Sequence, residues 1–175
     1  DLTLNAESVA YLTEVCFLHQ LSSLPDRQNR SELEEAIIRS IYWFSEAYRD
    51  RNPIMQFVKL WTCAECFFAI DRKQITELNA KGIATILAFA GFKIIDTADY
   101  SKFKRRVKQL YSLRSKSIHR AEIGHVDKTD LDELSHWVAW VVISMIALAE
   151  RGYQTLRQVH EQTQRLDQLS SERET

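Results

Sequence analysis

From Ser101 to Arg120 the chain carries eight Lys or Arg, at positions 102, 104, 105, 106, 108, 114, 116 and 120, and no Asp or Glu. The whole chain has a formal charge of −1, so removing these +8 leaves the remainder at −9. A near-neutral total therefore hides a dipolar protein with one basic stretch. A concentrated positive strip attracts a phosphate backbone, with an affinity that falls as salt rises, and this favours RNA or DNA contact. The other reading is a solvated helix face on a larger assembly.

Turned by about 100° per residue, the segment places Phe103, Val107, Leu110, Tyr111 and Ile118 on one apolar face. Arg114 falls in the middle of that face, four residues past Leu110 and four before Ile118. A buried charge costs several kcal/mol unless it is matched. Arg114 must either pair with a carboxylate from a neighbouring helix or line a groove where an anion binds. His119 sits about 140° further round a regular helix, near Lys108 and Arg105. On one straight helix the Arg114 and His119 side chains do not converge. They meet if the helix frays near His119, or if a symmetric dimer brings two copies of the segment together.

The elements that position these residues read as helices. Only 4 Gly and 2 Pro occur in 175 residues, too few turn-makers for a sandwich or barrel. At 45% hydrophobic and 27% charged the chain is in the soluble globular range. Asn5–Leu24 has helical spacing before Pro25 and Asp26 open a polar break. Ser31 followed by Glu34 reads as a capping box for a helix running to about Arg51. Pro53 suits a first helical turn ahead of Ile54–Ala69, and a shorter helix over Ile75–Ala90 ends at Gly91. After Gly124, Thr129 or Asp130 is the expected cap of a further helix. Its apolar run Trp137–Ala149 is broken only by Ser144 and falls short of the roughly 20 residues of a membrane span, so a core helix is expected. Beyond Gly152, Leu156, Val159, Leu166 and Leu169 mark either a stripe for a partner helix or one side of a solvated helix. The reading divides the chain into an N-terminal helix and linker over 1–28, a helical domain over 29–152 and a polar helix or tail over 153–175.

The run Tyr111-Ser-Leu-Arg114-Ser115-Lys-Ser-Ile-His119 resembles the R-x(4–6)-H motif of HEPN domains. Its surroundings are similar to the Apea-like branch of that superfamily. The upstream segment Phe57-Val-Lys-Leu-Trp61-Thr-Cys-Ala-Glu65 resembles the early helix of that branch, where a Trp and a Glu recur. The similarity covers roughly Glu32–Thr155. It implies an all-α antiparallel bundle of about five to seven helices that dimerises and builds a ribonuclease site from both subunits. Such sites need no metal or other cofactor, because the ribose 2′-OH attacks its own 3′-phosphate. On this resemblance His119 is the general base or acid, Arg114 holds the phosphate oxygens, and Glu65 orients Arg114. Ser115, Lys116, Lys108, Arg105 and Arg120 are the expected RNA contacts. The family setting also implies bacterial defence, with a sensor domain or antitoxin as partner. Two positions depart from common family patterns: Ser115 stands where many active members have Asn or Asp, and Ala121 where some toxins carry a modified Tyr. The competing reading is a non-catalytic HEPN-like module that binds RNA or a partner and dimerises.

Other reactive residue types read as packing. Cys63-Ala-Glu-Cys66 has no second C-x-x-C to complete a zinc site and lies in an apolar helix. His125 and His136 lack carboxylates at ligand spacing, and Trp137 and Trp140 belong to the apolar helix. No metal site and no membrane span are expected. Three Cys at 16, 63 and 66 are too few for a disulfide framework, and no basic-then-apolar leader is recognised. A cytoplasmic chain, cut from something longer with domains upstream, is the expectation.

Overall fold

The computed structural model describes residues 5–70, 74–119 and 126–173, with 116–119 and 171–173 described as helix backbone only. The described residues form eight α-helices: α1 (Ala6–Glu14), α2 (Leu18–Ser23), α3 (Glu32–Arg49), α4 (Pro53–Phe68), α5 (Ile75–Phe89), α6 (Tyr100–His119), α7 (Lys128–Glu150) and α8 (Leu156–Arg173). Two single 3₁₀ turns, Leu24–Asp26 and Thr97–Asp99, complete the regular structure, and no strand occurs among the described residues. The all-α expectation holds, with eight helices where five to seven were expected. The extra one arises at the N-terminus. Phe17 adopts a left-handed φ of 57° and splits the expected Asn5–Leu24 helix into α1 and α2.

Local chemistry sets most boundaries. Ser31 Oγ accepts the Glu34 N–H at 3.2 Å while Glu34 accepts the Ser31 N–H at 2.8 Å, the reciprocal box that starts α3. Asn52 caps α4, and Pro53 occupies the first turn, where its missing N–H costs nothing. The cap of α7 is Asp127, not Thr129 or Asp130: Asp127 accepts the Asp130 N–H at 2.8 Å and Asp130 returns the bond at 3.3 Å. A carboxylate at each end of the box satisfies two free N–H groups and favours the positive helix end. Gly152, at φ 90°, ends α7. There the Gly152 N–H reaches the Ala149 carbonyl and the Tyr153 N–H reaches that of Leu148. This paired closure needs the left-handed glycine.

The core is a continuous cluster in which α4, α5 and α7 are the most deeply covered elements. α3 and α4 are joined by only residues 50–52 and pack extensively, as an antiparallel pair. α7 lies against α3, α4 and α5. At 23 residues it is long and apolar enough to cross a membrane by length and composition alone. Here Leu134, Val138, Val141 and Met145 are fully enclosed by protein. Each such side chain contributes about 1.5–3 kcal/mol relative to exposure. α8 packs on α5 through Val159, Thr163 and Asp167, spaced four apart, while Leu169 stays 45% exposed. The inward face of α8 therefore keeps Leu156 and Val159 of the Leu156–Val159–Leu166–Leu169 stripe but runs on through Thr163 and Asp167, leaving Leu169 outside. It turns a polar register inward because α5 and α6 supply partners for Asp167.

Candidate active site

α4 and α6 together build the centre of interest. Trp61 and Glu65 are one turn apart on α4, and Tyr111 and Arg114 one turn apart on α6. Arg114 Nη2 donates to Glu65 Oε2 at 3.1 Å, and Tyr111 Oη donates to Glu65 Oε1 at 2.8 Å. Arg114 Nη1 lies 3.5 Å from Tyr111 Oη, and the guanidinium carbon stands 5.3 Å from the centre of the Tyr111 ring. Trp61 meets the same ring edge to face at 4.8 Å. Arg114 therefore takes the first of the two solutions open to a charge in an apolar face: a carboxylate from another helix. The carboxylate is Glu65. Both side chains are mostly covered, with 21% of Arg114 and 14% of Glu65 exposed. Arg114 Nε and Trp61 Nε1 are buried with no hydrogen-bond partner. Burial, reinforced by the bond to Glu65, raises the Tyr111 phenol well above its usual value, so it stays a neutral donor at neutral pH.

The backbone of α6 runs on to His119, five residues past Arg114. The side chains of His119 and Lys116 lie outside the described residues, and so does Arg120 entirely. Ser115 is exposed, as are Arg105 and Lys102. Lys108 is held by Glu77 at 2.5 Å. The strip is thus far from bare. Lys104 pairs with Asp167 at 2.6 Å and with Glu77 at 3.6 Å, and Arg106 pairs with Asp130 at 2.6 Å and Glu133 at 2.8 Å. Among the described residues, four cations of the strip are answered by acids on α4, α5, α7 and α8. Burial works against ionisation of Asp167, but hydrogen bonds from Lys104 and Tyr100 and the charges of Lys104 and Lys81 outweigh it and hold its carboxyl below the usual range. Glu77 is likewise depressed: burial opposes, and Lys108, Lys104 and Lys81 prevail.

The acidic partners were not visible in the strip itself. Glu77 and Asp167 lie far from it in sequence, and only packing brings them to α6. In the sequence Tyr111 stands only as an apolar position of α6. Its one signal is a hydroxyl three residues before a buried Arg.

The remaining reactive types pack. Cys63 is buried, donates to the Lys59 carbonyl at 3.2 Å, and burial pushes its thiol up. Cys66 is half-buried, and its thiol is raised for the same reason. No cluster of three or more His, Cys, Asp or Glu suited to a metal occurs among the described residues. Trp137 meets Phe103 edge to face at 4.8 Å, and Trp140 lies 5.3 Å from the Phe92 ring. His136 is exposed, and His125 lies outside the described residues.

No protein-family model, curated protein or solved structure matches this chain.

Proposed function

We propose that this chain is a HEPN-like endoribonuclease that cleaves RNA without a metal and works as a homodimer in the cytoplasm. The observation that carries the reading is the held guanidinium. Arg114 is fixed by Glu65 and lies over Tyr111, yet keeps 21% of its side chain exposed, on the helix that carries His119. A cation fixed in advance stabilises charge that develops in a transition state, because no reorganisation is needed as the charge appears.

In this reading His119 removes the proton of the ribose 2′-OH, and the 2′-oxygen attacks the adjacent phosphorus. Arg114 binds the non-bridging oxygens as their charge grows. The 5′-oxygen leaves with a proton from an imidazolium, leaving a 2′,3′-cyclic phosphate and a 5′-OH. Arg114 and His119 lie about 7.5 Å apart along the helix axis and on different sides of it. The complete site therefore draws Arg114 and His119 from two α6 segments across a two-fold axis. Arg105, Ser115, Lys116 and Arg120 guide the RNA, and Lys108 joins them only on leaving Glu77. A sensor domain or an antitoxin partner, in a defence setting, supplies the control.

A second reading, a non-catalytic module that binds RNA or a partner and dimerises, is favoured by the internal pairing of Lys104, Arg106 and Lys108. The test is direct. Purified protein is incubated with mixed RNA in EDTA beside His119→Ala and Arg114→Ala. Cleavage to cyclic-phosphate ends, lost in both variants, supports the enzyme. Retardation of RNA without cleavage supports the binding module, and neither result with an oligomer stable in high salt leaves a scaffold.

A further inference from the structure

We infer that Tyr111 is the positioning residue of this site: its hydroxyl fixes Glu65 so that Glu65 in turn fixes the Arg114 guanidinium. Nothing in the motif assigns it this role. A carboxylate on α4 that met only Arg114 would be free to rotate about its last torsion and could hold the guanidinium in several poses. Here its two oxygens are taken separately, Oε1 by the Tyr111 hydroxyl at 2.8 Å and Oε2 by Arg114 at 3.1 Å. The carboxylate plane is therefore set by two points on one helix. The tyrosine is itself immobilised. Trp61, fully buried one turn before Glu65, presses edge to face on its ring at 4.8 Å, and the ring lies 4% exposed in the core.

The same ring carries the guanidinium, 5.3 Å above its centre, so Tyr111 touches both partners of the ion pair with two different parts of its side chain. The ring attracts the cation through its negative face, and the hydroxyl orients the anion. These two contributions are separable. Tyr111→Phe keeps the ring, its packing on Trp61 and the cation contact, and deletes the hydroxyl with its 2.8 Å bond to Glu65 and its longer 3.5 Å contact with Arg114 Nη1, so the comparison in the Glu65→Gln background shows which of the two acts. The consequence for RNA cleavage rests on the ribonuclease reading. The consequence for Arg114 geometry does not.

The experiment has two arms on the full chain. The first follows the ¹⁵N side-chain resonances of Arg114, assigned by their loss in Arg114→Lys, and measures guanidinium rotation about its Nε–Cζ bond. The expected result is slow rotation in the wild type and severalfold faster rotation in Tyr111→Phe, with thermal melting little changed. Glu65→Gln should speed rotation too, and adding Tyr111→Phe to it should do nothing more. The second arm measures cleavage of a single-stranded RNA in EDTA. A hydrogen bond to a charged group at this centre corresponds to about a ten- to hundredfold fall in kcat in Tyr111→Phe, with KM little moved. Unchanged rotation in Tyr111→Phe overturns the inference, whatever the cleavage arm shows. Absence of cleavage by the wild type overturns the ribonuclease reading and leaves the rotation arm to decide the role of Tyr111.

Discussion

Arg114 shows how a charge survives in an apolar helix face. Its guanidinium is desolvated in part, and the loss is offset by one carboxylate and one aromatic face rather than by water. The arrangement is asymmetric in its failure. Glu65→Ala leaves a mostly buried cation without its anion and a buried phenol without its acceptor, at a cost of about 1–3 kcal/mol. The expected outcome is a thermal midpoint several degrees below wild type, together with loss of any RNA cleavage. An unchanged midpoint in calorimetry would mean that the pair contributes no net stability. Tyr111 was legible only as a member of the apolar face, because sequence periodicity reports which way a side chain turns and not what its hydroxyl meets.

At the scale of helices, two glycines have different jobs. Gly82 lies in the middle of α5, where a Cβ would stand 2.3 Å from Cδ1 of the buried Phe68 ring. The ring cannot swing away, since it sits in the core at the end of α4. Gly82→Ala is therefore expected to lose about 1–3 kcal/mol by overpacking, despite alanine's better helix propensity. Urea unfolding checks this, and a stabilised variant would show that α4 and α5 can separate without cost. Gly152 instead supplies a backbone conformation. At φ 90° with nothing within 4 Å of a would-be Cβ, Gly152→Ala meets no clash and pays only the left-handed penalty of about 1–2 kcal/mol. The capping box of α3 and the proline start of α4 were readable because they depend on residues within four positions. The break at Phe17 was not, because Phe17 carries none of the usual turn chemistry and packs at 6.4 Å against the Phe92 ring, far along the chain.

Across the whole molecule the basic strip and the acidic remainder fold onto each other. Four cations of the strip meet acids from four other helices, Lys102 and Arg105 meet none among the described residues, and in the proposed ribonuclease reading these two join Lys116 and Arg120 along the RNA backbone. Neutralising four phosphates of single-stranded RNA per protomer predicts a log–log salt slope of about −3. Fluorescence anisotropy across a salt series measures it, and a slope near −6 would mean that the internal pairs open when RNA binds. Asp167 ties the far half of α8 to this network, accepting from Tyr100 Oη and Lys104 Nζ, each at 2.6 Å, and facing Lys81 at 3.3 Å. Its carboxyl is depressed in the folded state, so the stability it contributes is complete above its unfolded value of about 3.9 and is lost as pH falls through the lower folded value. Asp167→Asn is expected to be less stable at pH 7 and to show a flatter decline between about pH 4 and 2 in urea titrations. The slope that survives belongs to Glu77, Glu34 and Asp50, whose carboxyls are also depressed.

The helical class, the principal helices and the need of Arg114 for a partner followed from residue order alone, because helix periodicity, caps and the cost of an unmatched charge act over a few positions or on one side chain. The family resemblance named Glu65 as the acid that orients Arg114, but the contact itself, and the acids that answer the rest of the strip, were settled only by tertiary packing. Glu65 reaches Arg114 from 49 residues away, and Asp167 reaches Lys104 from 63. Local charge counts run along the chain, whereas the electrostatic energy depends on distance through space, and so a strip that looks bare in sequence is answered at four described cations in the folded protein.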